Sequence, residues 1–514
     1  MARGPVAIGA PFARWPGTAA AVLVLALTLG TLAAVLWRAG GVGWAAGDWQ
    51  VVRFTILQAA LSAALSVTLA IPVARALARR RFPGRGLLIT LLGAPFILPV
   101  IVAVLGLLAI FGRGGLVNAG LGALGLPPLS IYGLHGVVLA HVFFNLPLAV
   151  RLILQGWAAI PAERFRLAAS LGLPVGRLLE RPMLRAVVPG AAMVIFLICL
   201  TSFAVALTLG GGPRATTVEL AIYQALRFDF DLGRAALLAA VQFGLCALAA
   251  LAVWGLAVPD RMGAGLDRVA ERWDGAGRPE RLADALAITL AALFLLAPLA
   301  MVVARGLPGL AELPPSVWRA AARSVVIALA SAGLAVALAL ALALRGGVRA
   351  TLAGALPLAA SSLVLGTGLF LLLHPWVNPA TLALPVTALV NAVMSLPFAL
   401  RVLAPAVARI EAGHGRLADA LGLTGWRRLR LVTLPRLRGP LGFAGGLAAA
   451  LSIGDLGVIA LFAGPQTETL PLAMYRLMGA YRMEAAAGAA LLLLALALGL
   501  FWLMDRGGRG DAAA

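Results

Sequence analysis

The side chains best placed to do chemistry in this sequence are arginines, gathered in two polar islands 250 positions apart. The first runs from Arg166 to Arg185 (RLAASLGLPVGRLLERPMLR) and the second from Arg416 to Arg438 (RLADALGLTGWRRLRLVTLPRLR). Both open Arg-Leu-Ala-x-x-Leu-Gly-Leu, so Gly172 matches Gly422, and Arg177 then matches Arg427; both close on Pro-x-Leu-Arg. A helical turn ending at glycine and followed by a basic amphipathic segment predicts a short helix–turn–helix. Such a segment cannot lie in lipid, so it projects into water and meets something there. Positive-inside loops would need only arginine. The recurring order of Leu, Ala, Gly, Pro and Arg asks for more.

Enzyme chemistry is not indicated. The sequence holds no nucleophile elbow, no His-Glu-x-x-His and no paired carboxylates, so no catalytic residue is assigned. All 41 basic residues are arginine, and without lysine no phosphate-binding loop of the Gly-x4-Gly-Lys-[Ser/Thr] type exists. Cys199 and Cys246 lie in apolar runs and read as small packing residues, with neither a disulfide framework nor metal spacing. His141 and Asn145 read as hydrogen-bonding residues between helices, and His135 and His374 have no partner at metal spacing. Asp455, in Ser452-Ile453-Gly454-Asp455, is the one carboxylate well inside an apolar run. A charge there marks a pathway by default; near the outer end of its helix it would simply be hydrated. The corresponding Ser202-Phe203-Ala204-Val205 has no acid.

The elements that position these residues are apolar helices. The chain is 62% hydrophobic and 12% charged, with mean hydropathy +1.00, more apolar side chain than a soluble fold can hide. The net charge of +21 lies in short loops between the apolar runs rather than on one face, which argues against nucleic acid. At roughly 20 residues per span, twelve candidates follow. They are Thr18–Trp37, Phe54–Ala74, Leu87–Phe111, Tyr132–Leu154, Val187–Leu209 and Ala235–Ala257, then Leu286–Ala304, Ser324–Leu344, Leu352–Leu373, Leu382–Leu400, Leu441–Phe462 and Ala485–Met504. Arg3 and Arg14 precede the first of these, which reads as a span rather than a cleaved signal. With the N-terminus inside, 30 of the 41 arginines fall on inner segments. Both termini and both islands are therefore expected in the cytoplasm, where anionic lipid headgroups also attract arginine.

The repetition reaches past the islands. Leu146-Pro147-x-Ala149-x-Arg151 recurs as Leu396-Pro397-x-Ala399-x-Arg401. On the outer side, Gly212-Pro213-x3-Thr217-x2-Leu220-Ala221-x-Tyr223 recurs as Gly464-Pro465-x3-Thr469-x2-Leu472-Ala473-x-Tyr475. The expected fold is an all-α polytopic membrane protein with two parallel six-helix repeats, residues 1–258 and 284–514, joined by a linker at 259–283. The pathway is expected at the repeat interface. The outer segments either line its mouth or are glycine turns packing two short re-entrant helices.

On these residues the chain resembles the permeases of ABC importers, whose cytoplasmic "EAA" loop carries a marker glycine matched here by Gly172 and Gly422. The resemblance implies type I importer transmembrane domains, with coupling loops at about 160–186 and 405–440. Ala168, Ala169, Gly172, Arg177, Ala418, Asp419, Gly422 and Arg427 would dock onto two copies of a cytoplasmic ATPase, which would bind the ATP and Mg; the chain itself would need no cofactor or metal. The glutamate of the name is absent, Arg166 and Arg416 standing in its place, and the first loop is three residues shorter between glycine and proline. Both halves in one chain indicate the fused type. Thr201–Leu226 is most similar to thiamine permease subunits, which implies import of thiamine or its phosphate esters across a bacterial inner membrane, with a periplasmic thiamine-binding protein. Ser202, Gly212, Thr216, Thr217, Ser452, Asp455 and Thr469 would line the outer mouth, Asp455 attracting the cationic thiazolium. The rivals are a ferric-iron permease of the same layout, against which Thr201–Leu226 speaks, and a proton-coupled carrier, which would want several membrane carboxylates or histidines. A non-transporting scaffold would not need the two halves' polar loops to match.

Overall fold

The computed structural model describes residues 11–93, 97–210, 212, 215–256, 277–464 and 466–509. Most of the expected linker, and Gly211, Pro213 and Pro465 of the outer repeats, lie outside the described residues. All regular structure among the described residues is helical. The first half runs α1 (Pro11–Ala39), α2 (Asp48–Arg79), α3 (Arg85–Leu91), α4 (Val100–Phe111), α5 (Leu116–Ala123), α6 (Leu134–Ala158), α7 (Ala162–Ser170), α8 (Arg181–Leu200), α9 (Ala204–Leu209), α10 (Val218–Arg227) and α11 (Leu232–Gly255). The second half runs α12 (Arg278–Gly309), α13 (Pro315–Arg345), α14 (Gly347–Ala355), α15 (Ser362–Leu373), α16 (Ala383–Ala420), α17 (Gly425–Arg428), α18 (Leu434–Ile453), α19 (Gly457–Phe462), α20 (Leu470–Gly479) and α21 (Met483–Arg509). Among the described residues, 11 helices are long and apolar enough to cross a membrane, or up to 12 if one pair bent by 91°, Gly347–Ala359 with Ser362–Leu373, is a single span. This is a multi-pass membrane protein.

Four of the expected continuous spans are interrupted, at matching places in the two halves. Leu87–Phe111 and Leu352–Leu373 divide before α4 and α15, each 12 residues long. Val187–Leu209 and Leu441–Phe462 divide after α8 and α18, each 20 residues, and resume as α9 and α19, each 6 residues. Proline, which lacks an N–H, sits at the N-cap of α4. At α15 the Ser361 side chain takes that place and accepts from the Val364 N–H at 3.0 Å. Hydropathy runs straight through these breaks because most of the residues beside them are apolar. A further difference is α16, which continues unbroken past its apolar window to Ala420, deep into the second island.

The halves exchange their first helices. Ala20, Ala21 and Val24 of α1 are buried in a cluster with residues of α13, α16 and α18. Conversely, Ala291 and Leu295 of α12 join the core built by α2, α4, α6 and α8. Glycine makes both exchanges possible. A Cβ at Gly106 of α4 would lie 2.6 Å from the Pro298 carbonyl oxygen of α12, and one at Gly368 of α15 would lie 2.6 Å from the Thr31 carbonyl oxygen of α1. Both glycines are the seventh residue of their 12-residue helices. With lipid as apolar as any side chain, this close backbone approach supplies association that hydrophobicity does not. The starts of the two exchanged helices are latched as well. Arg79 donates to both Asp284 oxygens at 2.7 and 2.6 Å, and Arg80 Nε donates at 2.6 Å, tying α2 to the start of α12. Arg345 at the end of α13 donates to Thr18 of α1 at 2.6 Å.

Adding one methyl group at Gly106 or Gly368 therefore forces two backbones apart. We expect Gly106→Ala and Gly368→Ala each to lose about 1–3 kcal/mol, read as a lower melting midpoint of the purified chain. Gly333→Ala, where a Cβ meets nothing within 4 Å, is the control and should not lower it.

Candidate functional site

In each arginine island the chain turns through its marker glycine. Gly172 and Gly422 both have φ +63°, the left-handed region that glycine enters without strain. The Leu173 N–H reaches Ala168 O at 2.8 Å and the Gly172 N–H reaches Ala169 O at 3.2 Å. Leu423 to Ala418 (2.9 Å) and Gly422 to Asp419 (3.0 Å) repeat the pattern. This is the Schellman arrangement, which satisfies the last carbonyls of a helix. A Cβ at either glycine meets nothing within 4 Å, so conformation rather than space requires glycine. Each turn leads into a five-residue π-helical segment, Gly176–Glu180 and Leu429–Thr433, and in the second loop, three residues longer, the four-residue turn α17 stands before it.

Ala168 and Ala418 are buried, whereas Ala169, Gly172, Arg177, Asp419, Gly422 and Arg427 are exposed. Beside them Leu167, Leu171, Leu417, Leu421 and Trp426 are each more than half exposed. Two matching apolar tips at matching turns have the form of docking sites. The sequence placed Leu167 and Leu171 one helical turn apart, which was the available signal. Different ion pairs brace the two loops. Glu180 accepts from Arg75 Nε and Trp157 Nε1, both at 3.2 Å; Arg428 bonds both Glu411 and Asp419.

The outer segments are built on the same plan in both halves. The Val218 N–H that opens α10 donates to Thr55 Oγ1 at 2.9 Å, and the Leu470 N–H that opens α20 donates to Ser324 Oγ at 2.8 Å. A hydroxyl from the second helix of each half thus satisfies a helix-terminal N–H that has no intrahelical partner. Thr217 caps α10 from within, accepting from Leu220 N at 3.3 Å; Thr469 has the same place on α20 without the side-chain bond. Between them opens a cavity of about 230 Å³ lined by residues including Gly212, Thr216, Tyr223, Phe228 and Tyr475. Of the expected mouth residues, Gly212 and Thr216 line it; Ser202, Thr217, Ser452, Asp455 and Thr469 do not. Burial pushes the phenols of Tyr223 and Tyr475 above the usual tyrosine range, so both are neutral near pH 7.

Asp455 sits not within a helix but in the break between α18 and α19, part-buried; one oxygen accepts from Gly457 N at 3.3 Å and the other has no partner among the described residues. By element position it corresponds to Ser202. Neighbouring Ser452 belongs to a buried junction of three helices, donating to Ser331 Oγ at 2.9 Å and accepting from Asn391 Nδ2 at 3.1 Å. The first half has its own version: Ser62 with His141 at 3.2 Å, and Asn145 donating to Cys199 Sγ at 3.4 Å. Cys199 is therefore part of a polar junction as well as a packing residue. Glu219, opening α10, is fully buried beside Ser361 and Gln242, and neither carboxylate oxygen has a hydrogen bond among the described residues. Its counterpart is Pro471. The sequence reading gave Glu219 no role.

No family model matches the chain. It is 43% identical over 512 residues to the thiamine transport system permease protein of Brucella suis, covering 95% of this chain and 94% of that protein. The proteins of the same name from Salmonella typhimurium and Escherichia coli are each 42% identical, over 516 and 522 residues, with 96% of both chains covered in each case. The chain belongs to the thiamine transport system permease family. In this permease the outer short helices hang on single hydroxyls from α2 and α13. Thr55→Val and Ser324→Ala each leave a buried N–H unsatisfied, for which we expect a loss of about 1–3 kcal/mol. Limited proteolysis of the purified permease should then cut at the residues flanking α10 or α20 earlier than in wild type. Equal protection would mean that these bonds do not hold the helices.

Proposed function

We propose that the chain is the membrane-spanning subunit of an ATP-driven importer for thiamine or its phosphate esters, in a bacterial inner membrane with both termini cytoplasmic. The observation that carries this reading is near-full-length identity of 42–43% to thiamine permeases. The two matching glycine turns with exposed leucine tips give it a mechanism. Each turn docks one copy of a cytoplasmic ATPase, through Ala169, Gly172 and Arg177 in the first loop and Asp419, Gly422 and Arg427 in the second, with Ala168 and Ala418 packing behind. The ATPase binds ATP and Mg; this chain supplies no hydrolytic site. Closing the ATPase dimer draws the loops together and turns the pathway from inward to outward. Inverting a 1:99 population needs about 5.5 kcal/mol of differential binding. A periplasmic binding protein delivers the substrate to the outer segments, where the unpaired oxygen of Asp455 attracts the thiazolium.

Reconstitution tests this. The purified chain alone should hydrolyse no ATP, and with its ATPase and binder it should accumulate labelled thiamine. Accumulation of ferric iron in place of thiamine would overturn the substrate while leaving the layout. The turns carry a sharper expectation. A left-handed conformation disfavours a residue with a Cβ by about 1–2 kcal/mol, most for a β-branched one. Gly172→Val and Gly422→Val should therefore insert normally but weaken ATPase binding roughly 5- to 30-fold. Asn, which tolerates this region, should come closer to wild type. Transport by both valine variants at the wild-type rate would remove the turns from coupling.

A further inference from the structure

The tyrosines of the repeated outer segments occupy equivalent positions, Tyr223 in α10 and Tyr475 in α20, yet they line one cavity. Residues that match across parallel repeats can meet only near the axis relating those repeats, which is where a pathway between two such halves runs. Phe203 and Phe228 hold the Tyr223 ring edge-on, with centroids at 5.3 and 5.6 Å. Among the described residues no carboxylate lines the cavity. The nearby arginines are engaged elsewhere: Arg227 donates to Ala463 O at 3.1 Å, and Arg476 is paired with Glu468. At about 230 Å³ the cavity is smaller than the roughly 300–1,000 Å³ of whole-ligand sites, so it takes one ring rather than a two-ring molecule.

The geometry points to a substrate subsite in this cavity, in which the faces of Tyr223 and Tyr475 receive a planar, positively charged heteroaromatic ring. A cation over a tyrosine face is stabilised by the ring quadrupole and needs no carboxylate. That choice also selects: a small inorganic cation has no ring to stack on the tyrosine faces and is more strongly hydrated than an organic ring. Thr216, buried at the cavity wall, adds a hydroxyl for a ring substituent, and Gln224 an amide. The inference rests on the thiamine reading above, whose thiazolium is the ring in question.

The test is equilibrium binding of labelled thiamine to the complete permease–ATPase complex in lipid nanodiscs, with competition by the neutral thiophene isostere, beside transport by the same complex reconstituted into sealed vesicles with its binding protein. Tyr223→Ala and Tyr475→Ala should each raise the Kd for thiamine roughly 2- to 30-fold while moving that for the isostere much less. Phe at either position should stay within about 2- to 3-fold of wild type, since it keeps the π face. An unchanged Kd in both alanine variants overturns the subsite. So does an equal loss for charged and neutral ligand, which would make the tyrosines packing residues only. Should Tyr223→Ala fail to assemble, Tyr475→Ala on the half-buried ring carries the test alone. A wild-type complex that transports thiamine without measurable binding also refutes the subsite; one that neither binds nor transports it refutes the thiamine reading instead.

Discussion

Two backbone-to-backbone contacts, at Gly106 and Gly368, decide how this protein can move. In water, apolar helices associate because water expels them; in lipid that drive is missing, and close packing with interhelical hydrogen bonds must replace it. Each glycine admits the first helix of the opposite half to within a distance that any Cβ would forbid. The exchange has a mechanical consequence. Neither half can tilt without carrying a helix that belongs, by sequence, to the other. The Arg79–Asp284–Arg80 latch and the Arg345–Thr18 bond fix those helices at their starts. Desolvating such a charge cluster is offset here by three charge-assisted bonds at 2.6–2.7 Å. Displacement of either loop would therefore reach both halves, even though the turns themselves are far apart in sequence.

The second constraint is the peptide group. Where a chain stops being helical among apolar neighbours, its N–H and C=O groups need partners from side chains, neighbouring helices or trapped water. The breaks in this fold fall where such partners stand. Ser361 caps α15, Thr217 caps α10, and Thr55 and Ser324 reach across from other helices. The Ser331–Ser452–Asn391 junction and its Ser62–His141, Asn145–Cys199 counterpart lie in the last turns of α18 and α8, beside the breaks.

This explains which features were legible in the sequence. Span existence was, because hydropathy reports transfer free energy and little else. The marker glycines were, because a left-handed turn leaves few choices of residue, and the matching order of Arg, Leu, Ala and Gly fixed their company. The breaks were not: Thr201, Ser202 and Phe203 look no different from span residues, and no window average records backbone direction. The helix exchange was equally invisible, since Gly106 and Gly368 differ in no way from the other glycines of an Ala- and Gly-rich chain until their neighbours are known. Tyr223 and Tyr475 appeared as the last letters of a repeated motif. Only the folded arrangement brings them to one cavity. Glu219 sits in a segment that was quoted for its resemblance, yet nothing in its spacing announced that α11 and the start of α15 would cover it.

A fused chain can do what a pair of identical chains cannot, which is to place a charge once. In a symmetric dimer, an acid near the axis would face its own copy, and two carboxylates at short range raise each other's proton affinity. Here Asp455 corresponds to Ser202, and Glu219 to Pro471, so each carboxylate stands alone. Glu219, in the first turn of α10, is buried without a hydrogen bond, and burial pushes its carboxyl up to about 8, so it stands largely protonated near pH 7. The tyrosines are the opposite case. They are neutral and tolerate a symmetric partner, so the repeat keeps both. The coupling loops divide in the same way. Their turns share one conformation, with φ +63° at both Gly172 and Gly422. Their braces, Glu180 with Arg75 and Trp157 against Arg428 with Glu411 and Asp419, differ because bracing needs only to hold.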